Sequence, residues 1–478
     1  MANVSSYKKF PIKKNELSRF ISISLMMVCI LFIYSIQRTV KDTIVVSYMG
    51  AELISTIKLY GVLPSAILMM ICYSKLSDLF QKTQVFHILN AFFIFYFIAF
   101  TFVISPNIDL FHFSLNSFKE ALPNLKYLFV MFEKWTYSLY YILAELWGSV
   151  MLSLMFWQIT NQVFKIEEAK RLYPLFGLVG QIGMLMSGEM TRFFTSQKSF
   201  SGSWQESLSY INLSVLFTGI VLSCAFFVLS EKIMDAGTIN SLIDKKNKKK
   251  IKFIEGIKNV LRSKYIGLIT LVVVCYGISI NLVEGVWKAQ AQILYTSPKD
   301  YARFMSNLQT YTGLATMFST LSGSYLLSKL SWKISALITP FIVLVTGGFF
   351  FLFSLYQSQI SYLIPLSFSP VFVAVFFGLL QNILSKSTKY AFFDATKEMA
   401  YIPLDGELKS KGKAAADVIG SRLGKSGGAF IQWIILAMIP GSTLLSISKF
   451  VFFIFIFIMF LWIFSTRKLS LEFSKLEK

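Results

Sequence analysis

Four ionisable residues fall inside stretches that are otherwise apolar. Lys58 lies in STIKLYGVLPSAILMM, Glu145 in YYILAELWGSVMLSLMFW, Glu284 at the end of CYGISINLVEG, and Lys425 in GSRLGKSGG at the head of another apolar run. A charge at membrane depth is expensive, so each marks a site by default, facing either a watery cavity or an ion-pair partner. For Lys58 and Lys425, both near helix ends, the plainer account is snorkelling toward an interface. For Glu145 and Glu284 it is a structural pairing with those lysines. Two lysines suit a multiply anionic substrate, because ammonium groups meet phosphate oxygens as point charges. Carboxylates repel such a substrate. Both signs in one cavity therefore fit lysines that contact the substrate in one state and glutamates in another, an exchange that alternating access requires.

The run GSRLGKSGG, 420–428, looks like a phosphate-binding loop but fails the test. A Walker loop needs four residues between its glycines, and the position five before Gly424 is Ile419. The apolar AFIQWIILAMI that follows is not the helix of a soluble nucleotide-binding domain. Other residues extend the candidate site. Asn281 offers an amide for base edges, and Tyr60 or Trp147 a stacking face, although such aromatic residues more often serve packing or the interfacial belt. Arg38 and Lys41, in QRTVKDT just past the first apolar run, form an electrostatic mouth or an ordinary loop, and Lys288 is a further candidate phosphate contact. An enzyme acting on nucleotides lacks its parts: the chain has two histidines, His87 and His112, no Asp-rich metal motif and no nucleophile beside a base. No cofactor or metal is expected, and Cys29, Cys72, Cys224 and Cys275 have no paired spacing.

The elements that must position these residues are membrane helices. Hydrophobic residues make up 55% of the 478, charged residues 15%, and there are 48 Phe, so the chain reads as an all-α polytopic membrane protein in a lipid bilayer. About twelve stretches approach the ~20 residues that a ~30 Å hydrocarbon core requires: 20–36, 56–73, 85–105, 137–158, 173–188, 211–230, 265–286, 311–328, 334–355, 362–380, 423–438 and 444–463. The basic start, 1–19, is too long and polar for a signal n-region, so 20–36 is expected to be kept as the first helix. The net charge of +21 points to membrane topology and not to nucleic acid. With the amino terminus cytoplasmic, alternate loops collect roughly 34 Lys and Arg against roughly 11 on the other side, the positive-inside pattern, which puts both termini in the cytoplasm. A basic stretch, 231–264, separates a first six-helix half, 1–230, from a second, 265–478, the major-facilitator layout. GLVGQIG (177–183) sets against SRLGKSG (421–427) as a trace of duplication, with Gly180 matching Gly424 and Gly183 matching Gly427 as close-packing positions.

These residues sit in motifs that make the chain recognisable. RTVKDTIVV (38–46), LPSAI (63–67), AELWGSVMLSLMFWQITNQ (144–162), EAKRLYPLFGL (168–178), YGISINLVEGVWK (276–288), FDATKEMAYIPLD (393–405) and KGKAAADVIGSRLGKSGGAFIQ (411–432) span both halves. The chain resembles the bacterial and plastid nucleotide transporter family, the ADP/ATP translocases of obligate intracellular bacteria. The resemblance implies a twelve-helix carrier in the bacterial inner membrane that takes up host ATP in exchange for cytosolic ADP. It also implies that Lys58, Glu145, Glu284 and Lys425 are the family's four functional intramembrane charges. The residues after Lys58 are Leu-Tyr where relatives often have Thr-Trp or Thr-Tyr, and Gly-Val-Trp follows Glu284 as in bacterial members. These departures leave open whether ATP and ADP, other ribonucleotides, or nucleotide with a proton is carried.

Overall fold

The computed structural model describes residues 12–233, 263–360, 368–404, 416 and 420–476. Most of the basic stretch 231–264, the start of the tenth expected helix and, Ala416 apart, the residues before Gly420 in the last motif lie outside these. Twelve long helices are present among the described residues: α1 Leu17–Met49, α2 Leu53–Leu79, α3 Lys82–Phe111, α4 Trp135–Val163, α5 Ile166–Thr195, α6 Trp204–Val228, α7 Lys264–Leu294, α8 Pro298–Lys329, α9 Trp332–Leu355, α10 Pro370–Ala400, α11 Ser421–Met438 and α12 Ser448–Leu476. All but α5, α8 and α11 are both long and apolar enough to cross a bilayer by that criterion alone. The exceptions carry polar faces. α5 begins with Glu167, Glu168 and Arg171, α8 buries Gln309, Thr310, Thr312 and Thr316, and α11 combines Arg422 and Lys425 with glycines.

Local chemistry starts and stops these helices. Ser203, Ser263, Ser297, Ser331 and Ser369 stand at the N-caps of α6 to α10, and each accepts the backbone N–H three residues on, satisfying one of the first-turn donors. Pro298 and Pro370 follow two of those caps, where a missing N–H costs nothing. Gly50, with φ +95°, ends α1 in a conformation that other residues adopt only under strain. Most helices outrun their apolar stretches. α1 continues thirteen residues beyond Ile36, through Arg38, Lys41 and Asp42, and α7 continues past Glu284 to Leu294. Arg38 and Lys41 are therefore helical residues and not part of a loop. A hydropathy window ends at the first charge, but the helix does not when that charge finds a partner.

By their packing, the described residues fall into two units. The first draws on Met1–Val40, Ser65–Ile108 and Leu143–Asn247. There α5 lies so close to α1 that a Cβ on Gly180 would stand 2.7 Å from Leu31 and one on Gly183 would collide with the Val28 carbonyl. The second draws on Lys41–Pro64, Asp109–Ile142 and Lys248–Lys478. In it α7 packs on α11 and α12, and α10 on α8 and α9. A Cβ on Gly424 would lie 3.0 Å from the backbone of both Gly277 and Val274, and one on Gly428 would lie 2.6 Å from the Asn281 Cβ. Each unit thus sets a glycine-bearing helix directly on another backbone, α5 on α1 and α11 on α7, six helices apart in the chain. The correspondence is imperfect, because the tight positions in α11 are Gly424 and Gly428, while Gly427 makes only ordinary contact with Ile278.

Candidate functional site

The site in the second unit is built outward from α7. Asn281, Glu284 and Lys288 follow one another at intervals of three and four, which stacks them along one face of the helix. Glu284 and Lys288 form an ion pair at 3.2 Å across one turn, in the favourable acid-before-base order. A backbone irregularity in α2 brings Lys58 to this face. Ile57–Val62 is a π-helical turn, a widened turn that displaces side chains from their α-helical register and recurs at functional sites. Lys58 Nζ donates to Asn281 Oδ1 at 2.7 Å and stands 3.9 Å from Glu284 Oε2.

The end of α1 completes the cluster. Asp42 accepts from Lys41 at 3.1 Å and pairs with Lys288 at 2.9 Å, while the Lys41 ammonium sits 3.8 Å above the Tyr141 ring. Three ammonium groups and two carboxylates therefore alternate along Lys41, Asp42, Lys288, Glu284 and Lys58. Asp42, Lys288 and Lys41 are 0%, 1% and 3% exposed. Tyr301 on α8 is fully buried within electrostatic reach of Asp42 and Glu284. Charges this deep persist only when paired, and taking one away strands its partner.

α11 closes the site from the other side. Gln432 donates to the carbonyls of Asn281 at 3.0 Å and Leu282 at 3.2 Å. Gly285 makes room for that amide: a Cβ there would lie 2.7 Å from Gln432 Oε1. Lys425 is exposed at the head of α11. Two turns further on, Trp433 meets Tyr60 edge-to-face with ring centroids 5.2 Å apart, and Tyr60 is 40% exposed. An aromatic pair thus adjoins the lysine-bearing turn, in contact across α2 and α11. On the α7 side, Trp287 donates to Val375 O at 2.9 Å and fills the space that Gly378 leaves, fixing the turn that holds Lys288.

Of the residues selected from the sequence, the second unit gathers Lys41, Lys58, Asn281, Glu284 and Lys288 in one network, with Tyr60 and Lys425 on elements that pack against it. Arg38, Glu145 and Trp147 belong to the first unit. Arg38 and Glu145 are half-buried, whereas Trp147 is fully buried, edge-on to Phe93 at 5.6 Å, and serves packing. Asn281 spends its amide on Lys58 and on the Gly277 carbonyl, 2.9 Å away. The residues that sequence reasoning missed are Asp42, Tyr301, Gln432 and Trp433. Asp42 had a signal, since it stands next to Lys41 inside a quoted motif. Trp433 had none beyond its place eight residues after Lys425. A separate apolar cavity of about 270 Å³, lined by Leu327, Trp332, Met399 and Phe473 among others, lies ~39 Å along α8 from Tyr301 and carries no charge.

Comparison with known proteins gives the chain's family and fold. The TLC ATP/ADP transporter family matches residues 2–473. The chain is 41% identical over 477 residues to ADP,ATP carrier protein 4 of Rickettsia typhi, covering 97% of this chain and 93% of that one. It is also 41% identical over 485 residues to ADP,ATP carrier protein 3 of Rickettsia prowazekii, covering 98% and 97%. Among solved structures, a bacterial homologue of the iron transporter ferroportin in an inward-facing state superposes with a TM-score of 0.59 at 14% identity, over 96% of this chain and 98% of that one. A D-xylose-proton symporter gives 0.58 at 13%, over 95% and 97%. At such low identity the likeness is one of fold alone, a multi-pass helical arrangement shared along nearly the whole chain. Matched along nearly its whole length, the chain belongs to the TLC ATP/ADP transporter family.

Proposed function

We propose that this protein exchanges ATP for ADP across a bacterial inner membrane, importing host ATP for cytosolic ADP by alternating access, with both termini cytoplasmic and its helices grouped as six in 1–230 and six in 265–478. The observation that carries this reading is the row of three lysines and two carboxylates on α1, α2 and α7, buried except at the half-buried Lys58. Its surplus positive charge suits a phosphate chain, and its internal acids keep the lysines paired between substrate visits. Lys58 and Lys425 bind phosphate, Glu145 and Glu284 take over the lysines when the carrier is empty, and Tyr60 with Trp433 offers a ring surface. Arg38 draws the anion in. The names of the Rickettsia relatives support the choice of ATP and ADP.

Purified protein in proteoliposomes should take up labelled ATP only when the lumen holds unlabelled ADP or ATP, and should release no inorganic phosphate. Robust accumulation in empty vesicles driven by an inward proton gradient would overturn exchange in favour of proton symport. Uptake against another ribonucleotide in preference to ADP would replace the substrate.

A further inference from the structure

We propose that Glu52 and Tyr127 form a latch at the outer end of the carrier, one that holds the loop between α11 and α12 and must let it go before nucleotide can enter from outside. The inference rests on the nucleotide-carrier reading and its topology, in which residues 50–52, 112–134 and 439–447 all face outward. Glu52, in the turn between α1 and α2, accepts the backbone N–H of Leu444 at 3.0 Å. Tyr127, in the segment between α3 and α4, donates to the Ser442 carbonyl at 2.6 Å. Two elements of the first six helices thus grip one loop of the second six, and all of these residues belong to the second unit. A third bond, from Gln292 on α7 to the Val46 carbonyl on α1 at 2.7 Å, joins the same two sets of helices.

Both sides of the contact are braced. Gly50, at φ +95°, turns the chain so closely over Glu52 that a Cβ there would lie 2.9 Å from Oε2. Burial, with the Glu52 carboxylate nearby, pushes the Tyr127 hydroxyl up to about 12, so it remains a donor. Lys134 donates to the Tyr48 carbonyl at 2.6 Å, and Tyr48 stacks on Tyr137 with centroids 5.2 Å apart, which ties the Tyr127 segment to the end of α1. In the loop, Gly441 takes φ +78°, and Thr443 and Ser446 exchange backbone-to-hydroxyl bonds at 2.9 and 3.2 Å, so it moves as one piece. The latch grips main chain only, a backbone N–H and a carbonyl. When the loop lifts into solvent, water replaces both partners at modest net cost, and no buried charge is stranded.

Cross-linking tests the motion. With Tyr127→Cys and Ser442→Cys in full-length protein whose two exposed cysteines, Cys72 and Cys224, are replaced by serine, a reducible bifunctional thiol reagent should stop ATP:ADP counterflow in proteoliposomes, and reduction should restore it. Exchange that continues in the cross-linked carrier overturns the latch. Accessibility tests the hold. An impermeant thiol reagent added outside intact cells should label Tyr60→Cys roughly five- to tenfold faster when Glu52→Ala or Tyr127→Phe removes one bond from the latched state. Glu52→Gln, which keeps an acceptor for the Leu444 N–H, should stay within about threefold of the parent. A labelling rate unmoved by both Glu52→Ala and Tyr127→Phe overturns the latch as well. If the Glu52→Ala protein shows no cooperative melting, Tyr127→Phe decides alone, and if the double-cysteine protein fails to exchange before cross-linking, the labelling rates decide. Wild-type vesicles that exchange no nucleotide would instead refute the functional reading on which the inference rests.

Discussion

Asp42→Asn is the most discriminating change, because it asks whether the charge row is dry. Asp42 touches Lys288 at 2.9 Å and Lys41 at 3.1 Å and is wholly inaccessible. At an effective dielectric of about 20 each contact is worth roughly 5–6 kcal/mol of gross Coulomb energy, whereas in bulk water each would be worth roughly 1.4. Most of the gross term is spent on desolvating the three groups, and removing one partner of a buried pair leaves a net loss of about 3–5 kcal/mol. The isosteric amide keeps the volume, so no cavity term enters. Unfolding entropy of about 2.1 cal/mol/K per residue gives roughly 1 kcal/mol/K for 478 residues, so the melting temperature should fall by about 3–5 °C. Thermal unfolding in detergent, followed by intrinsic tryptophan fluorescence, measures it. The control is Lys264→Gln, which breaks a pair of the same 2.9 Å length with Glu472 at a lysine that is 72% exposed, and should leave the melting temperature unmoved. A fall of less than about 1 °C for Asp42→Asn would show that water fills the row and that its geometry carries no energetic weight.

Further outcomes follow from the same structure. Lys58→Gln and Lys425→Gln should each cut ATP:ADP counterflow at least about tenfold, the loss of one charge-assisted phosphate contact, with unchanged amounts of protein in the membrane. Substitutions among Lys245 to Lys250, outside the described residues, should matter little. Gly424→Ala should destabilise by about 1–3 kcal/mol, because the new methyl meets Gly277 and Val274 backbone at 3.0 Å, whereas Gly427→Ala, which meets only Ile278 at 3.5 Å, should be silent in the same melting assay. Trp433→Ala should raise the KM for ATP in counterflow several-fold, about 1–3 kcal/mol being typical of one base-stacking ring, while uptake of inorganic triphosphate as a competitor stays unchanged.

How much of this was legible in the sequence differs between the fold and the site. Apolar length alone locates the helices, and Ser-capped starts such as Ser297-Pro298 mark several boundaries. What hydropathy hides is how far a helix runs once charges begin. Arg38, Lys41 and Asp42 look like the exit from a span until Asp42 is seen to pair with both Lys41 and Lys288, and that depends on α7 lying against the end of α1, a contact between residues 246 apart. Glu284 and Lys288 were legible as an i, i+4 pair, and Lys58 as a costly charge. That Asn281 faces Lys58 was not legible, because the π turn at Ile57–Val62 leaves no residue-type signature. The Tyr60–Trp433 pair was half visible. Tyr60 stands beside a selected lysine, but Trp433 sits in an apolar run where most tryptophans only pack.

The three polar-faced helices also constrain how the protein can be made. A segment leaving the translocon partitions into lipid by its own apolarity, and α5, α8 and α11 fall short of the apolarity that their neighbours have. α8, with Gln309, Thr312 and Thr316 along it, and α11, with Arg422 and Lys425 at its head, must be sheltered by other helices. α7 is in place to receive α11 through the Gly277–Gly424 contact, whereas α10, against which α8 packs, emerges only after α8 and α9. α8 therefore has to be retained beside the translocon until two further spans have followed it. Biogenesis of this carrier should accordingly include a waiting step in its second half, and a chain released just after α8 should leave that segment outside the bilayer.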